Sequence, residues 1–132
     1  MKPFLPWLLV ALGGALGASA RYALSTFILE RVLSRFPWGT FAVNMIGCFL
    51  LGIVGTVLAA HLEGEDAFLR YAVSVGFLGS FTTFSTFGFE SMKLLDGQNW
   101  PVGAAYLASS VFIGLVMVKL GSLLPGVFAQ AG

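Results

Sequence analysis

Four long stretches of this 132-residue chain contain no Asp, Glu, Lys or Arg, and they constrain its fold more than any other feature. These uncharged stretches are residues 3–20, 36–62, 71–89 and 97–118. Each is close to the roughly 20 residues that an α-helix needs to cross a bilayer. Only 10% of the residues are charged, against roughly 25% in a soluble domain. The pattern predicts an all-α integral membrane protein with four transmembrane helices.

The first predicted helix contains a charge, because the apolar pattern resumes beyond Arg21 with Tyr22 to Leu29. We therefore place helix 1 at about residues 6–29, with the arginine inside it. The predicted connections are short, at about residues 30–37, 61–66 and 96–100, and leave no room for a soluble domain. The sequence thus predicts a single four-helix domain over residues 1–132, with both termini on one side of the membrane.

The basic residues outside the predicted helices are divided evenly between the two sides of the membrane. Three lie on the side of the termini and three on the other: Lys2, Arg70 and Lys119 against Arg31, Arg35 and Lys93. Membrane proteins normally orient by an excess of Lys and Arg in their cytoplasmic loops, and this chain has no such excess. We therefore expect dual topology, with an antiparallel homodimer as its natural product.

A polar run lies inside the third predicted helix. Residues 76–87, GFLGSFTTFSTF, combine two glycines, five hydroxyl side chains and four phenylalanines. A helix that is interrupted at membrane depth persists only where protein, water or an ion replaces its missing hydrogen bonds. We predict that helix 3 is interrupted near its middle, close to Gly76 and Gly79, and that carbonyl oxygens freed there suit a hard cation.

Phenylalanines recur every three residues in this run, at Phe81, Phe84 and Phe87, and are expected to stack along one side of helix 3. Such side chains usually face lipid or pack in a core. Their ring edges also carry partial positive charge, which suits a dehydrated anion. Both interpretations remain open at this point.

Polar side chains on the other helices have alternatives of the same kind. Asn44 could bond to another helix or donate to an ion. Tyr106 and Ser110, four residues apart on one face of helix 4, could donate in succession to an anion or pack between helices. Arg21 could face a water-filled cavity, snorkel to the interface, or pair with a carboxylate such as Glu90.

Small residues recur inside the helices and predict close helix packing. They are Gly13 and Gly17, Cys48 and Gly52, then Gly55, Gly103 and Ala104. Cys48 is the single cysteine of the chain, so it forms no disulfide within the chain, and we expect it to pack in helix 2. Four short helices enclose little volume, and a solute route is therefore expected to need residues from two chains.

Together these features resemble the Fluc/CrcB family of fluoride channels. The resemblance rests on GALGA at 14–18 followed by Arg21-Tyr22, on Gly39-Thr40 with Val43-Asn44 and Gly47, and on GFLG at 76–79 with TTFSTF at 82–87. It implies a dual-topology, antiparallel homodimer with two narrow pores, each lined by both subunits. It also implies passive export of cytoplasmic fluoride across the plasma membrane, which is the inner membrane in a Gram-negative bacterium.

The resemblance further implies roles for individual residues. Arg21 would lie in a vestibule, and backbone carbonyls of Gly79 and Thr82 would hold a structural sodium ion at the dimer interface. The fluoride pore would be lined by Asn44, Thr83, Phe84, Ser85, Phe87, Tyr106 and Ser110, with Thr86 supporting the same region. One position departs from the family pattern, because Gly114 stands one helical turn beyond Ser110, where a serine is allowed.

Three other functions are compatible with a small four-helix membrane protein. A proton-coupled exporter of drugs or cations needs an intramembrane acid. Glu90 is the only acid near helix 3, and we expect it to be exposed at the membrane interface because it lies in the C-terminal part of that helix. A membrane enzyme has little support, because the single histidine, His61, lies at a loop edge and no metal-ligand cluster is present in the sequence. A non-conducting assembly subunit would need only the small-residue packing. Nothing in the sequence indicates a nucleic-acid partner.

Overall fold

Helices form nearly all of the described part of the protein. The computed structural model describes residues 4–60 and 68–130, with side chains as far as residue 127. Within these ranges four helical spans are long and apolar enough to cross a membrane: Leu5–Arg31, Trp38–Ala60, Phe68–Asp96 and Trp100–Val127. The prediction of an all-α protein with four transmembrane helices is confirmed. His61 and the rest of the predicted 61–66 connection lie outside the described residues.

The third span consists of two helices, and the other three spans are one helix each. We name the helices in chain order. The first part of the third span, α3, winds with the wide turns of a π-helix over Phe68–Leu78 and ends in one α-helical turn, Gly79–Phe81. The bounds are α1 Leu5–Arg31, α2 Trp38–Ala60, α3 as above, α4 Phe84–Asp96 and α5 Trp100–Gln130.

Two threonines with extended backbone separate α3 from α4. Thr82 has φ −79° and ψ 158°, and Thr83 has φ −148° and ψ 114°. We call these two residues the extended pair; they lie three and four positions beyond Gly79. The extended pair also marks a change of packing partner, because α3 packs mainly on α1 whereas α4 packs on α5. The third span therefore moves from α1 to α5 at this point.

The phenylalanines of the third span divide at the extended pair. The ring of Phe81 stacks on that of Phe77, with centroids 5.7 Å apart and 11° between the ring planes. Beyond the extended pair, Phe84 pairs with Phe87 at 5.8 Å. The expected single stack of Phe81, Phe84 and Phe87 is therefore wrong, because the extended backbone between the first two changes the direction of the chain.

Glycines allow two pairs of helices to approach closely. On α1, a methyl group at Gly17 would overlap the Phe77 carbonyl oxygen of α3. On α2, a methyl group at Gly52 would overlap the Val118 carbonyl oxygen of α5. The predicted packing role is confirmed for Gly17 and Gly52, whereas Ala104 is exposed and a methyl group at Gly55 would meet no described atom within 4 Å. Consecutive spans alternate in direction, so the closely packed α2 and α5 run parallel.

We predict that Gly52→Ala destabilises the protein by about 1–3 kcal/mol, the usual cost of inserting a methyl group into a well-packed interior. The control is Gly55→Ala on the same helix, which adds the same methyl group where there is open space. Thermal unfolding in detergent should show a lowered midpoint for Gly52→Ala alone. Equal midpoints for the two variants would contradict the close α2–α5 packing.

Candidate ion-binding site

The side chain of Asn44 on α2 holds the backbone of Thr83 in the extended pair. Its Oδ1 accepts a hydrogen bond from the Thr83 backbone N–H at 2.9 Å, and its Nδ2 donates to the Thr83 carbonyl oxygen at 3.1 Å. The amide of Asn44 thereby provides the acceptor and the donor that the backbone N–H and carbonyl groups of Thr83 would otherwise find in a helix. Buried backbone groups without partners are costly, so this side chain stabilises the extended conformation. Nδ2 retains one further N–H for another acceptor.

The same interaction frees a carbonyl group on α3. In a continuous α-helix the Thr83 N–H would donate to the carbonyl oxygen of Gly79, four residues earlier. Here Asn44 takes that donor. The last donor of the α3 ladder is the Thr82 N–H, which bonds to the Leu78 carbonyl oxygen at 3.2 Å. The Gly79 carbonyl oxygen is thus left without its helical donor at the end of the helix, where such groups need another partner.

Hydroxyl groups cluster at the N-terminus of α4. The Thr83 hydroxyl accepts a hydrogen bond from the Thr86 backbone N–H at 3.2 Å and so caps the helix. It donates to the Thr86 hydroxyl at 3.0 Å and lies 3.3 Å from that of Ser85. The first turn of a helix also carries partial positive charge. This region therefore combines neutral donors with a favourable potential for an anion.

Gly47 makes room on α2 for the other member of the extended pair. A Cβ atom at position 47 would overlap the Thr82 methyl group, Cγ2. The Thr82 hydroxyl donates to the Leu78 carbonyl oxygen at 3.0 Å, which fixes the rotamer that directs this methyl group at α2. Asn44 and Gly47 lie one helical turn apart and hold Thr83 and Thr82 respectively. One face of α2 thus fixes both extended residues.

A cavity of about 350 Å³ adjoins the extended pair, and seven of the predicted site residues line it. Phe87 is buried in the protein, whereas 84% of Phe84 is exposed in a single chain. The Ser110 hydroxyl oxygen is buried and has no hydrogen-bond partner among the described residues. The predicted residues brought together here are Asn44, Gly79, Thr82, Thr83, Phe84, Phe87 and Ser110.

Arg21 lies in a second, smaller cavity of about 190 Å³. This cavity is also lined by five hydroxyl side chains, those of Tyr22, Ser25, Thr40, Thr83 and Thr86. Thr83 lies in the walls of both cavities, so the two meet at the extended pair. Among the described residues no ion pair joins Arg21 to Glu90, and the half-buried arginine faces a cavity, as one of the sequence alternatives proposed.

Glu90 was expected near the membrane interface, but it is a site residue that the sequence analysis missed. Its Oε1 accepts from the Thr40 hydroxyl at 2.9 Å, and its Oε2 accepts from the Tyr106 hydroxyl at 2.8 Å. The side chain thereby joins α2, α4 and α5. Thr40 and Glu90 also line a third cavity of about 520 Å³, formed with the segment between α1 and α2. The sequence did contain one signal for this position, because Glu90 follows the polar residue Thr86 by one helical turn and so lies on the same face of α4.

Two predicted pore residues lie outside the 350 Å³ cavity. Tyr106 is fully buried, its hydroxyl bonds to Glu90, and its ring packs against Phe87 with centroids 5.2 Å apart. Ser85 is exposed at the start of α4. Among the described residues there is no group of three or more His, Cys, Asp or Glu side chains able to hold a metal ion. Any cation held near the extended pair would therefore depend on backbone and hydroxyl oxygens.

Four spanning helices around a polar cluster define a multi-pass membrane protein with hydrogen-bonding groups inside its spans. Residues 8–122 match the family model described as CrcB-like protein, Camphor Resistance (CrcB). The chain belongs to this CrcB family, so it is a multi-pass integral membrane protein of the plasma membrane.

Relatives from several organisms align with most of the chain. A protein of Acidobacterium capsulatum named "Fluoride-specific ion channel FluC" is 47% identical over 115 residues, 87% of this chain and 91% of its own length. Relatives of the same name from Sorangium cellulosum and Chloroflexus aurantiacus are 43% and 40% identical, over 87% and 86% of this chain and 90% of their own lengths. The family resemblance inferred from the motifs is thus confirmed.

We predict that Asn44→Asp destabilises the protein, because a carboxylate oxygen then faces the Thr83 carbonyl oxygen in place of a donor. The expected loss is about 1–3 kcal/mol, the cost of an unsatisfied buried polar group. Thermal unfolding in detergent measures it, with Thr56→Val as the control, since the Thr56 hydroxyl donates to the Gly52 carbonyl oxygen within α2. An unchanged midpoint for Asn44→Asp would show that the extended pair does not depend on this amide.

Proposed function

We propose that this protein is a fluoride-selective channel that passively exports cytoplasmic fluoride. The observation that carries the proposal is the set of hydrogen-bond donors around the extended pair, in a chain whose relatives bear the name of fluoride-specific channels. Because the family is one of ion channels, the chain is a transporter and not an enzyme.

The three cavities form a series that supports a route through the protein. The loop-side cavity of about 520 Å³ shares Tyr22, Ser25 and Thr40 with the Arg21 cavity. The Arg21 cavity shares Thr83 with the cavity of about 350 Å³. Polar side chains therefore accompany an ion from the segment between α1 and α2 as far as the extended pair.

The chemistry of the Arg21 cavity and of the extended pair favours an anion. The guanidinium of Arg21 attracts negative charge into the smaller cavity, where hydroxyl groups donate hydrogen bonds. At the extended pair the remaining N–H of Asn44, the first turn of α4 and the ring edges of Phe84 and Phe87 provide further partial positive charge. Fluoride is small and strongly hydrated, so a route lined by many donors compensates for the water that it loses.

The site is incomplete in one chain, and we assign the missing wall to a second copy in antiparallel orientation. Phe84 is 84% exposed although it lies beside the polar cluster. Gly79 is exposed as well, and the 350 Å³ cavity is open to one side of the protein. A two-fold axis through this face duplicates every lining residue, which gives two pores, and the even division of basic residues permits both orientations.

The residues present fit a structural sodium ion at this two-fold axis. The Gly79 carbonyl oxygen lacks its helical donor because Asn44 binds the Thr83 N–H, and the Thr82 carbonyl leaves the helical path at ψ 158°. Hard cations prefer such oxygen ligands. Two carbonyl oxygens from each of two chains would hold the ion, which would neutralise helix-end carbonyls and link the subunits. In this proposal the two threonines form the interruption of a discontinuous membrane helix.

The direct test is fluoride efflux from sealed liposomes that contain the purified protein alone. Vesicles loaded with potassium fluoride and treated with valinomycin should release fluoride to an external electrode with no energy source. Retention of fluoride by vesicles that contain correctly folded protein would refute the channel function.

We predict that Phe84→Ile and Phe87→Ile each lower this flux about tenfold or more, because an aliphatic side chain has no electropositive ring edge. The control is Phe89→Ile on the same helix, a residue that is 72% exposed and lines none of the three cavities described above. All three variants should retain the oligomeric state of the wild type. Normal flux in both pore variants would remove these rings from the route.

We predict that a C-terminal tag is found on both faces of the membrane, since the loop charges give no preferred orientation. Protease protection in right-side-out and inside-out vesicles measures the two populations. A version with two extra lysines in the segment between α1 and α2 provides the control, because its added charge should favour one orientation. A wild-type tag on one face only would contradict dual topology.

A further inference from the structure

Two levels of side chains face one another along the parallel helices α2 and α5. At the first level, Asn44 of α2 and Ser110 of α5 line the same 350 Å³ cavity. One helical turn further along each helix stand Cys48 and Gly114, which form the second level. Cys48 also lines this cavity, so its thiol continues the lining that begins with the amide and the hydroxyl.

Gly114 leaves space beside this thiol. A Cβ atom added at Gly114 would lie 3.6 Å from Cys48 Sγ and 3.5 Å from the terminal methyl group of Met45, the two atoms of the other described helices within 4 Å of it. Both distances are ordinary van der Waals contacts. The missing side chain at Gly114 therefore opens a gap whose polar wall is the sulfur of Cys48.

We call the contact between α2 and α5 at these two levels the seam. The hydroxyl of Ser110 gives an independent indication that the seam receives a ligand. Its oxygen is buried and has no hydrogen-bond partner among the described residues. An unsatisfied buried hydroxyl is costly unless water or an ion completes its hydrogen bonds. The position that would do so lies in the cavity that Cys48 and Asn44 also line.

We propose that Cys48 lines the fluoride route and donates its S–H at the level where Gly114 offers no hydroxyl. This inference rests on the proposed channel function and adds a residue to the lining. The thiol is a weaker donor than a hydroxyl, but it faces the gap at Gly114. An ion or water bound by Ser110 then meets Cys48 as its next donor along the seam.

A thiol-specific reagent can test this role in the unaltered protein, because Cys48 is the single cysteine. Methyl methanethiosulfonate is small and neutral; the thiol sulfur displaces methanesulfinic acid from it and keeps its CH3S group as a mixed disulfide. Treatment of channels in liposomes should block fluoride efflux by about tenfold or more, and dithiothreitol should restore it. The matched control is Cys48→Ala with Gly55→Cys, which moves the thiol to an exposed position of α2, and its flux should not respond.

The outcomes separate this inference from the channel function itself. Untreated protein without flux would refute the channel function. Untreated protein that conducts and is insensitive to the reagent would refute only the assignment of Cys48, whether or not the thiol reacts. An equal block of the Gly55→Cys control would refute it too, since the effect would then not depend on the seam.

Substitutions at the two facing positions test the donor role separately from packing. Cys48→Ser should keep flux and lose sensitivity to the reagent. Cys48→Ala should lower flux about fivefold, the effect expected from one net hydrogen bond. Adding Gly114→Ser to Cys48→Ala places a hydroxyl in the same gap and should restore flux to within about twofold of the wild type. Normal flux in Cys48→Ala, or no restoration by the serine, would overturn the assignment.

Discussion

The hydrogen bonds between the Asn44 side chain and the Thr83 backbone are the interaction on which the rest of the site depends. They let two residues remain extended in the middle of an apolar span, where lipid offers no replacement partner. The same bonds remove the donor that Gly79 would otherwise have, and they fix the start of α4. One amide on α2 therefore determines where carbonyl oxygens are freed and where a helix N-terminus is presented.

Much of the fold could be predicted from the sequence, because the bilayer imposes simple rules. Stretches without charge located the four spans, and a single arginine within an apolar pattern was correctly included in α1. Long-range contacts could not be predicted in this way. The extended residues Thr82 and Thr83 lie beyond the glycines on which the prediction centred, and their conformation depends on Asn44 and Gly47, which are distant in sequence.

The candidate site shows the same division between local and long-range information. Residue types in the GFLGSFTTFSTF run indicated an ion site, and most of the predicted lining meets at one cavity. Glu90 was assigned to the interface because its position near the end of a span suggested exposure. Its real surroundings depend on hydroxyl groups from two other helices, Thr40 and Tyr106, and no local pattern encodes that meeting. Ser110 and Cys48 become informative only when α2 and α5 are seen side by side.

Gly47 has a consequence for how this sequence can change over time. The Thr82 methyl group occupies the space where any side chain at position 47 would begin, and the hydrogen bond of the Thr82 hydroxyl to the Leu78 carbonyl oxygen fixes that methyl group in place. Every replacement there adds atoms, so purifying selection on transport would keep glycine at this position. Eight residues along the same helix, a side chain at position 55 would meet no described atom within 4 Å, so larger residues fit there. Two glycines on one helix thus differ in the substitutions that their surroundings can accommodate.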